Sequence, residues 1–305
     1  MSFFEYNAPN YTVIINIEEF KTQSNMVNFN KSEYPIEITP PQKIELPNFR
    51  ELWEYKDLVL FLVMRDLKTR FQQTFIGVFW IALQPIIQML IFYMILGILV
   101  RMPTGDIPYP IFFLSGFVVW QLFSQIVNSS AFSLVANIGI ITKTYFPRLS
   151  LPIASTISSF VDFVVSVALL FIVMLLNGYP VTNRIILLPV LLIITMAFSS
   201  GVGLLFGALM VTFRDMKNLL NFLLMVWMYA TPIIYPISLV PDQYKLILRL
   251  NPLTSLVEIY RWMFLGTEGL PPVFQLLLSA LVAILLWFLG AIAFKNMENK
   301  IADVM

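Results

Sequence analysis

One acidic side chain stands out among the residues that could do chemistry. Asp162 lies about ten residues past Pro152, inside a long apolar run. A carboxyl group within a membrane segment is a functional candidate, and a proton-coupled transporter needs one. A proton relay also needs a second acid or a base, and the other long apolar runs contain neither. We therefore favour a protonated or hydrogen-bonded Asp162 that fixes helix packing, and its candidate partners are the amides of Gln84, Gln88, Gln121 and Asn128.

A second group of candidates consists of uncharged amides and aromatic rings within apolar runs. Rings can lie against the C–H faces of sugars, and amides exchange hydrogen bonds with hydroxyl groups. Taken singly, each ring is better explained by contact with lipid or with the membrane interface. Taken as a set, these residues favour a neutral or sugar-like cargo over an ion. The candidate channel-lining residues are Gln84, Gln88, Phe92, Tyr93, Trp120 and Gln121.

Several kinds of chemistry are excluded by residues that the sequence lacks. It contains neither cysteine nor histidine, which excludes disulfides, thiolate chemistry, histidine bases and most zinc or copper sites. The phosphate-binding pattern G-x-x-x-x-G-K-[ST] is also absent, so this chain does not hydrolyse ATP. Clustered acids typical of a glycosyltransferase are missing. We expect no enzyme activity, no metal and no cofactor in this chain.

The composition is that of an integral membrane protein. Of the 305 residues 58% are hydrophobic and 12% are charged, and the mean hydropathy is +0.80. A net charge of +1 without a block of basic residues argues against a nucleic-acid partner. Six apolar segments are long enough to cross a membrane as helices, although the fifth is the weakest. They are Val78–Val100, Ile111–Val135, Ile153–Leu176, Ile185–Val211, Leu219–Tyr235 and Val273–Phe294.

Three regions follow from this pattern. Residues 1–49 form a polar extension in which TVIINIE and PIEIT are strand-like, and it shows no cleavable signal peptide. Residues 50–77 contain a helix whose apolar run is too short to cross a membrane, so we expect it to lie on the surface. Residues 78–305 form the all-α transmembrane domain. Basic residues are concentrated in alternate connections, which predicts that both termini are cytoplasmic.

A proline-rich, apolar segment separates the fifth and sixth predicted spans. Pro236–Pro272 is too short for two further crossings, and its two helical pieces are interrupted at Asn251-Pro252. Within hydrocarbon such an interruption is tolerated only inside protein or along a wet cavity. We predict a re-entrant helical hairpin on the outer side, and two helices lying flat on the surface are the alternative. Its aromatic residues include Tyr244, Tyr260 and Trp262.

The connection Asn137–Pro152, NIGIITKTYFPRLSLP, is too apolar for a loop that meets only water. It can form about two helical turns with Ile138, Ile141 and Tyr145 on one side, ending at Pro147. Such a helix either sinks into lipid headgroups or docks into a soluble partner, and the residues alone leave both open. The candidate docking residues are Ile138, Ile141, Lys143, Tyr145, Phe146 and Arg148.

Several stretches in order resemble one family. They are ELWEYKDLVLFLVMRDLKTRFQQTFIGVFWIALQP (51–85), IPYPIFFLSGFVVWQLF, TKTYFPRLSLP, VTFRDMKN, TPIIYP and LNPLTSLVEIYRWMFLG. Together they are similar to the permease subunit of bacterial ABC exporters of cell-surface polysaccharides, the O-antigen, capsule and teichoic acid exporters. The resemblance runs from about residue 40 to the C-terminus, whereas residues 1–39 exceed the length expected for that family.

The resemblance implies an assembly in the bacterial inner membrane. A homodimer of six-span subunits would bind two copies of a cytoplasmic ABC ATPase, which alone would hold ATP and magnesium. Asn137–Pro147 would be the coupling helix on that ATPase, and Gln243–Leu250 and Thr254–Leu265 the re-entrant helices. A polysaccharide on undecaprenyl diphosphate would pass through a channel at the dimer interface. Its diphosphate would meet the surface helix at Arg65, Lys68 and Arg70.

Two other functions stay open. A permease of the same superfamily could carry a drug or a simple lipid, and it would differ in cargo alone. A proton-coupled secondary transporter or flippase would depend on Asp162 and would need no ATPase, but many such proteins are built from duplicated, inverted halves that this sequence lacks.

Overall fold

The computed structural model describes residues 3–8, 11–16, 35–37, 49–71, 79–141, 143, 146–213, 215–267 and 273–304. The chain divides into two compact units, Met1–Glu45 and Leu46–Met305. The first contains a sheet of three strands in which β1 pairs antiparallel with β2, and β2 pairs parallel with β3. Of the strand-like stretches of the sequence, TVIINIE overlaps the second strand and PIEIT contains the third. The bounds are Phe3–Ala8 for β1, Tyr11–Asn16 for β2 and Pro35–Glu37 for β3.

The second unit is helical wherever the structure describes regular elements. The first seven helices are α1 (Phe49–Glu54), α2 (Lys56–Phe71), α3 (Phe79–Phe92), α4 (Tyr109–Ala136), α5 (Ile138–Ile141), α6 (Ser150–Ser158) and α7 (Phe160–Leu176). The remaining five are α8 (Leu188–Thr212), α9 (Met216–Ala230), α10 (Asp242–Leu250), α11 (Pro252–Leu265) and α12 (Val273–Val304). A π-helix over Tyr93–Leu99 continues α3, and 3₁₀ turns cover Asn183–Leu187 and Ile237–Leu239.

Five stretches among the described residues are long and apolar enough to cross a membrane as helices. They correspond to five of the six predicted spans, and α6 and α7 together form one of them. The five stretches are Phe79–Leu99, Tyr109–Ala136, Ser150–Leu176, Asn183–Thr212 and Val273–Met297.

The fifth predicted span is shorter than expected. Instead of Leu219–Tyr235, the structure has α9, which ends at Ala230 after 15 residues. At 1.5 Å per residue this helix is about 22 Å long, less than the hydrocarbon thickness of about 30 Å. The cause is Pro232, because a residue before proline is pushed out of the helical region, and Thr231 accordingly has φ −104° and ψ 137°.

The core is built around α4, α8 and α12, which approach closely through glycine. A Cβ on Gly201 would lie 2.6 Å from the Trp287 backbone nitrogen, and one on Gly290 would lie 2.6 Å from the Gly201 carbonyl oxygen. On α8, a Cβ on Gly203 would lie 2.7 Å from Ser130 Cβ of α4. The glycine-rich stretch GVGLLFG, residues 201–207, is therefore a packing surface, since small residues allow such close crossings.

The bundle has two ends that the contacts define. At one end, which we name the Tyr109 end, α4 begins and the Tyr109 hydroxyl donates to the Ile234 carbonyl at 2.9 Å. At the other, the α5 end, the side chains of Leu134, Ile141 and Val211 share one buried cluster. The helices α4 and α8 both end at the α5 end and therefore run between the two ends in the same direction.

Candidate functional site

The helix α2 packs across the α5 end of the bundle. Its Leu62 and Val63 are buried in a cluster with residues from α4, α5, α6, α8 and α12. The adjacent polar side chains of α2 differ in their surroundings: Lys68 is exposed, whereas Arg65 and Arg70 are partly buried. One side of the apolar run of α2 thus meets protein, whereas Leu60, Phe61 and Met64 on the other side are exposed.

Two apolar side chains of the connection after α4, those of Ile141 and Phe146, face inward. Ile141 is 9% exposed and Phe146 is 4% exposed, and both belong to the cluster that contains Leu62. Within the described part of the expected two-turn helix, the structure has α5, a single turn. Ile140 and Lys143 are exposed, and Ile138 and Arg148 are partly exposed. Tyr145, also expected at the docking surface, lies outside the described residues. The structure therefore places Ile141 and Phe146 inside the chain rather than on its surface.

Asp162 pairs with a residue that the sequence analysis assigned elsewhere. The Nη1 atom of Arg70 donates to Asp162 Oδ2 at 2.6 Å, joining α2 to α7. The side chain of Asp162 is only 8% exposed and that of Arg70 is 28% exposed. None of the expected amide partners supplies this contact: Gln121 Oε1 accepts from Ser166 at 3.0 Å. Asp162 is hydrogen-bonded, as expected, but its partner is an arginine.

A polar groove of about 580 Å³ lies beside this ion pair. Its walls come from the second half of α2, the last turns of α4, α5 and Ser155 of α6. Arg65 contributes a guanidinium that donates to Asp66 Oδ1 at 2.7 Å through Nη2. The opposite wall combines hydroxyl and amide groups with the apolar side chains of Phe132, Ala136 and Ile140. The residues that line the groove include Arg65, Asp66, Thr69, Arg70, Ser129, Ser133, Asn137 and Ile140.

A stripe of polar residues follows one side of α4. Its members recur at intervals of three and four residues, the spacing of one helix face, and all are partly exposed in a helix that is otherwise largely buried. Some bond their own helix, as Asn128 Nδ2 does to the Ser124 carbonyl at 3.0 Å. The stripe consists of Gln121, Ser124, Gln125, Asn128 and Ser129.

The other expected channel residues are divided between interior and surface. Trp120 is buried, with its ring centroid 5.5 Å from that of Phe123. Phe92 stacks on Phe113 at 5.1 Å. The remaining three lie on α3 or its π-helical continuation: Gln84 and Tyr93 are exposed, whereas Gln88 is half-buried. The structure thus brings Gln121 into the polar stripe and places Trp120 in the core.

The hairpin of α10 and α11 turns at Asn251, deep within the bundle. Asn251 Oδ1 accepts from Trp227 Nε1 at 3.2 Å and caps α11 through Leu253 N at 3.1 Å. The ring of Trp227 lies 5.0 Å from that of Phe123, near the middle of α4. The turn is therefore at about half the length of α4. Tyr260 on α11 is fully buried, whereas Tyr244 on α10 is 53% exposed.

The far end of α11 is fastened at the Tyr109 end. The Tyr179 hydroxyl donates to the Leu265 carbonyl at 2.9 Å, and the Arg184 guanidinium lies 4.3 Å from the Trp262 ring centroid. Burial raises the pKa of Tyr179 and nearby Asp106 adds to the effect, so the hydroxyl keeps the proton that it donates. The helix α11 thus rises from mid-depth to the Tyr109 end.

Arg261 is a functional candidate that the sequence analysis missed. Its Nη1 and Nη2 donate to the carbonyls of Pro232 and Ile233, each at 2.6 Å, and its guanidinium carbon lies 3.8 Å from the Phe112 ring centroid. These carbonyls belong to the non-helical segment after α9, so Arg261 supplies donors that the proline-interrupted backbone cannot. The feature of the sequence that could have identified Arg261 is the position of an arginine within the largely apolar stretch LVEIYRWMFL.

Comparison with known proteins agrees with this architecture. The family model for the ABC-2 type transporter matches residues 57–265. An O-antigen export system permease protein, RfbA, from Myxococcus xanthus is 31% identical over 256 residues, 83% of this chain and 97% of the relative. Its namesake from Klebsiella pneumoniae is 27% identical, covering 82% of this chain and 95% of the relative. The polysialic acid transport protein KpsM of Escherichia coli is 31% identical over 204 residues, which are 66% of this chain and 78% of the relative.

The resemblance drawn from the sequence motifs is thereby confirmed. The match extends from the second residue of α2 to the end of α11, so it includes the groove, the polar stripe and the hairpin. This chain belongs to the ABC-2 type transporter family of membrane permeases.

Proposed function

We propose that this chain is the permease subunit of an ATP-driven exporter that moves a lipid-linked polysaccharide across the bacterial inner membrane. The observation that carries the proposal is the similarity to O-antigen export permeases over nearly their whole length. The stripe of uncharged polar residues on α4 fits the same cargo, because amides and hydroxyls exchange hydrogen bonds with sugars without holding them tightly.

The path for the polymer is formed between two copies of the chain. The stripe on α4 is partly exposed, and α3 beside it is almost entirely unburied along its length. One subunit leaves these surfaces open, whereas a second copy related by a twofold axis would enclose them. Gln121, Gln125 and Asn128 would then line the channel, with Gln84 and Tyr93 of α3 and its π-helical continuation at its margin.

The membrane topology has six crossings, of which α9 is the short one. The non-helical segment after α9 completes the fifth crossing under cover of protein, since Thr231 and Ile233 are fully buried. The hairpin of α10 and α11 is re-entrant, which its contacts at the middle of α4 and at the Tyr109 end support. With basic residues such as Lys143 and Lys217 at the α5 end, the positive-inside rule makes that end cytoplasmic, together with both termini.

Energy comes from two copies of a cytoplasmic ATPase bound at the α5 end. Exposed Ile140 and Lys143 provide the contact, while Ile141 and Phe146 connect it to α2 and α12 through the buried cluster. Movement of the ATPase would therefore be transmitted to several helices at once. At the same end, the groove beside Arg65, Lys68 and Arg70 receives the undecaprenyl diphosphate of the cargo, since guanidinium groups pair well with phosphate.

A deletion strain tests the cargo. Without this chain, we expect lipid-linked glycan to accumulate inside the cell and surface polysaccharide to disappear. The wild-type gene should restore export, and the double variant Gln125→Leu, Asn128→Leu should restore it poorly although it inserts normally. Gln275→Leu removes an amide of α12 outside the stripe and is the matched control. Normal surface polysaccharide in the deletion strain would contradict the proposal.

A further inference from the structure

The two arginine side chains that line the groove at the α5 end are each paired with a carboxylate. Arg65 is paired with Asp66, its neighbour on α2, and Arg70 is paired with Asp162 on α7. The two pairs differ in one respect. The first pair lies within a single helix and moves with it. The second pair joins two different helices, and its residues are 92 positions apart in sequence.

An anion that enters the groove has to compete with Asp162. The bond that joins Arg70 to Asp162 runs from one nitrogen, Nη1, to one oxygen, Oδ2. A diphosphate offers several oxygens in the forked arrangement that a guanidinium prefers, so it is the stronger partner at equal access. Its disadvantage is that Asp162 would be left without its cation in a membrane span, which is costly.

We infer that Asp162 occupies, in the absence of cargo, the place at Arg70 that a lipid diphosphate takes when cargo is bound. The inference rests on the proposed function and adds an intramolecular competitor to its binding site. Because Asp162 loses its partner when the diphosphate binds, the ion pair joins α2 to α7 only in the empty state. Arrival of cargo thereby breaks this connection, while Leu62 and Val63 keep α2 packed on the bundle.

A double-mutant cycle tests this competition by binding. The purified permease, in its complex with the ATPase, is placed in nanodiscs of phosphatidylcholine and titrated with a polyprenyl diphosphate. We expect Asp162→Asn to bind the diphosphate about tenfold more tightly than wild type, within the usual range of coupling between sites. Arg70→Ala should bind weakly, and the gain from Asp162→Asn should vanish in the Arg70→Ala background. Asp162→Glu keeps the competing charge and should behave as wild type.

Control measurements distinguish the cargo diphosphate from the phosphate of a membrane lipid. They also distinguish a failure of the competition from a failure of the diphosphate site. Lys56→Ala removes an exposed cation at the start of α2, away from the groove, and should change nothing. Inorganic pyrophosphate should compete with the lipid, whereas phosphatidylglycerol in the nanodisc should not; equal competition by phosphatidylglycerol would overturn the assignment to cargo. Equal or weaker binding by Asp162→Asn, with wild type binding normally, would overturn the competition alone. Absence of binding to wild type and to Asp162→Asn alike would overturn the proposed diphosphate site itself.

Discussion

Two polar side chains, those of Arg261 and Asn251, bind backbone groups within the bundle. Arg261 donates to two carbonyls that lie outside any helix, and Asn251 serves as both a helix cap and an acceptor for Trp227. In a membrane a backbone carbonyl without a donor is expensive, because no water replaces the lost bond. These residues allow a proline-interrupted segment to exist within the bundle.

Replacing Arg261 with Leu should destabilise the protein strongly. Two buried carbonyls would lose their donors, at about 1–3 kcal/mol for each unsatisfied group. We expect a clear fall in the melting temperature of the purified permease, measured by intrinsic fluorescence. Arg249→Leu, on the exposed face of α10, is the control and should melt close to wild type. Equal melting of both variants would show that Arg261 does not hold the segment.

Replacing Gly290 with Val should force α8 and α12 apart. The new Cβ would lie 2.6 Å from the Gly201 carbonyl oxygen, a distance that no side-chain rotation relieves. Overpacking of this kind costs about 1–3 kcal/mol, so we expect a lower melting temperature and poorer yield. Gly207→Ala adds a methyl group with no atom nearer than 3.4 Å and should be tolerated. A stable Gly290→Val protein would contradict the observed crossing.

At the scale of elements, apolar patterns located the helices but not their partners. The predicted spans follow from runs of apolar residues, and the short α9 follows from a proline whose effect the hydropathy pattern ignored. The pairing of Arg70 with Asp162 could not be foreseen, because it depends on how α2 packs on α6 and α7. Likewise, the amphipathic pattern around Ile141 could not tell whether its apolar side meets another protein or its own chain.

The hairpin makes a prediction about access from the two sides of the membrane. The native chain has no cysteine, so single cysteines can be labelled without background. We expect Asp242→Cys, at the start of α10, to react with an impermeant maleimide added outside intact cells. Lys143→Cys, after α5, should react only after the membrane is opened. Labelling of both from the same side would contradict the six-crossing topology.

At the scale of the whole molecule, the open surfaces define what one subunit lacks. The polar stripe of α4 and the exposed side of α3 would be covered by the second copy that we propose, and the proposed ATPase would contact Ile140 and Lys143 at the α5 end. Family membership and the bundle of long apolar helices were foreseeable from sequence. Of the residues that the sequence analysis expected to contact an ATPase, Lys143 is exposed, whereas Ile141 and Phe146 are buried within the chain.

Reversing the character of that surface should uncouple the ATPase from transport. We expect Ile140→Asp, Lys143→Glu to insert and dimerise normally, yet to lose most export because an apolar contact and a cation are both replaced by negative charge. Surface polysaccharide and ATPase co-purification measure the two effects. Lys56→Glu reverses an exposed cation on α2 and should export normally. Full export by the double variant would place the ATPase contact elsewhere.

The glycine crossing of α8 and α12 determines where this machine can bend. Two helices whose backbones lie so close at Gly201 and Gly290 slide or tilt past each other only with difficulty. Together with α4 they therefore form the rigid part of the bundle. If the proposed channel widens to pass a polysaccharide, the helices that move are therefore α3, which has few buried residues, and α9, which is short. We expect α3 and α9 to be the helices that move when the proposed channel opens and closes.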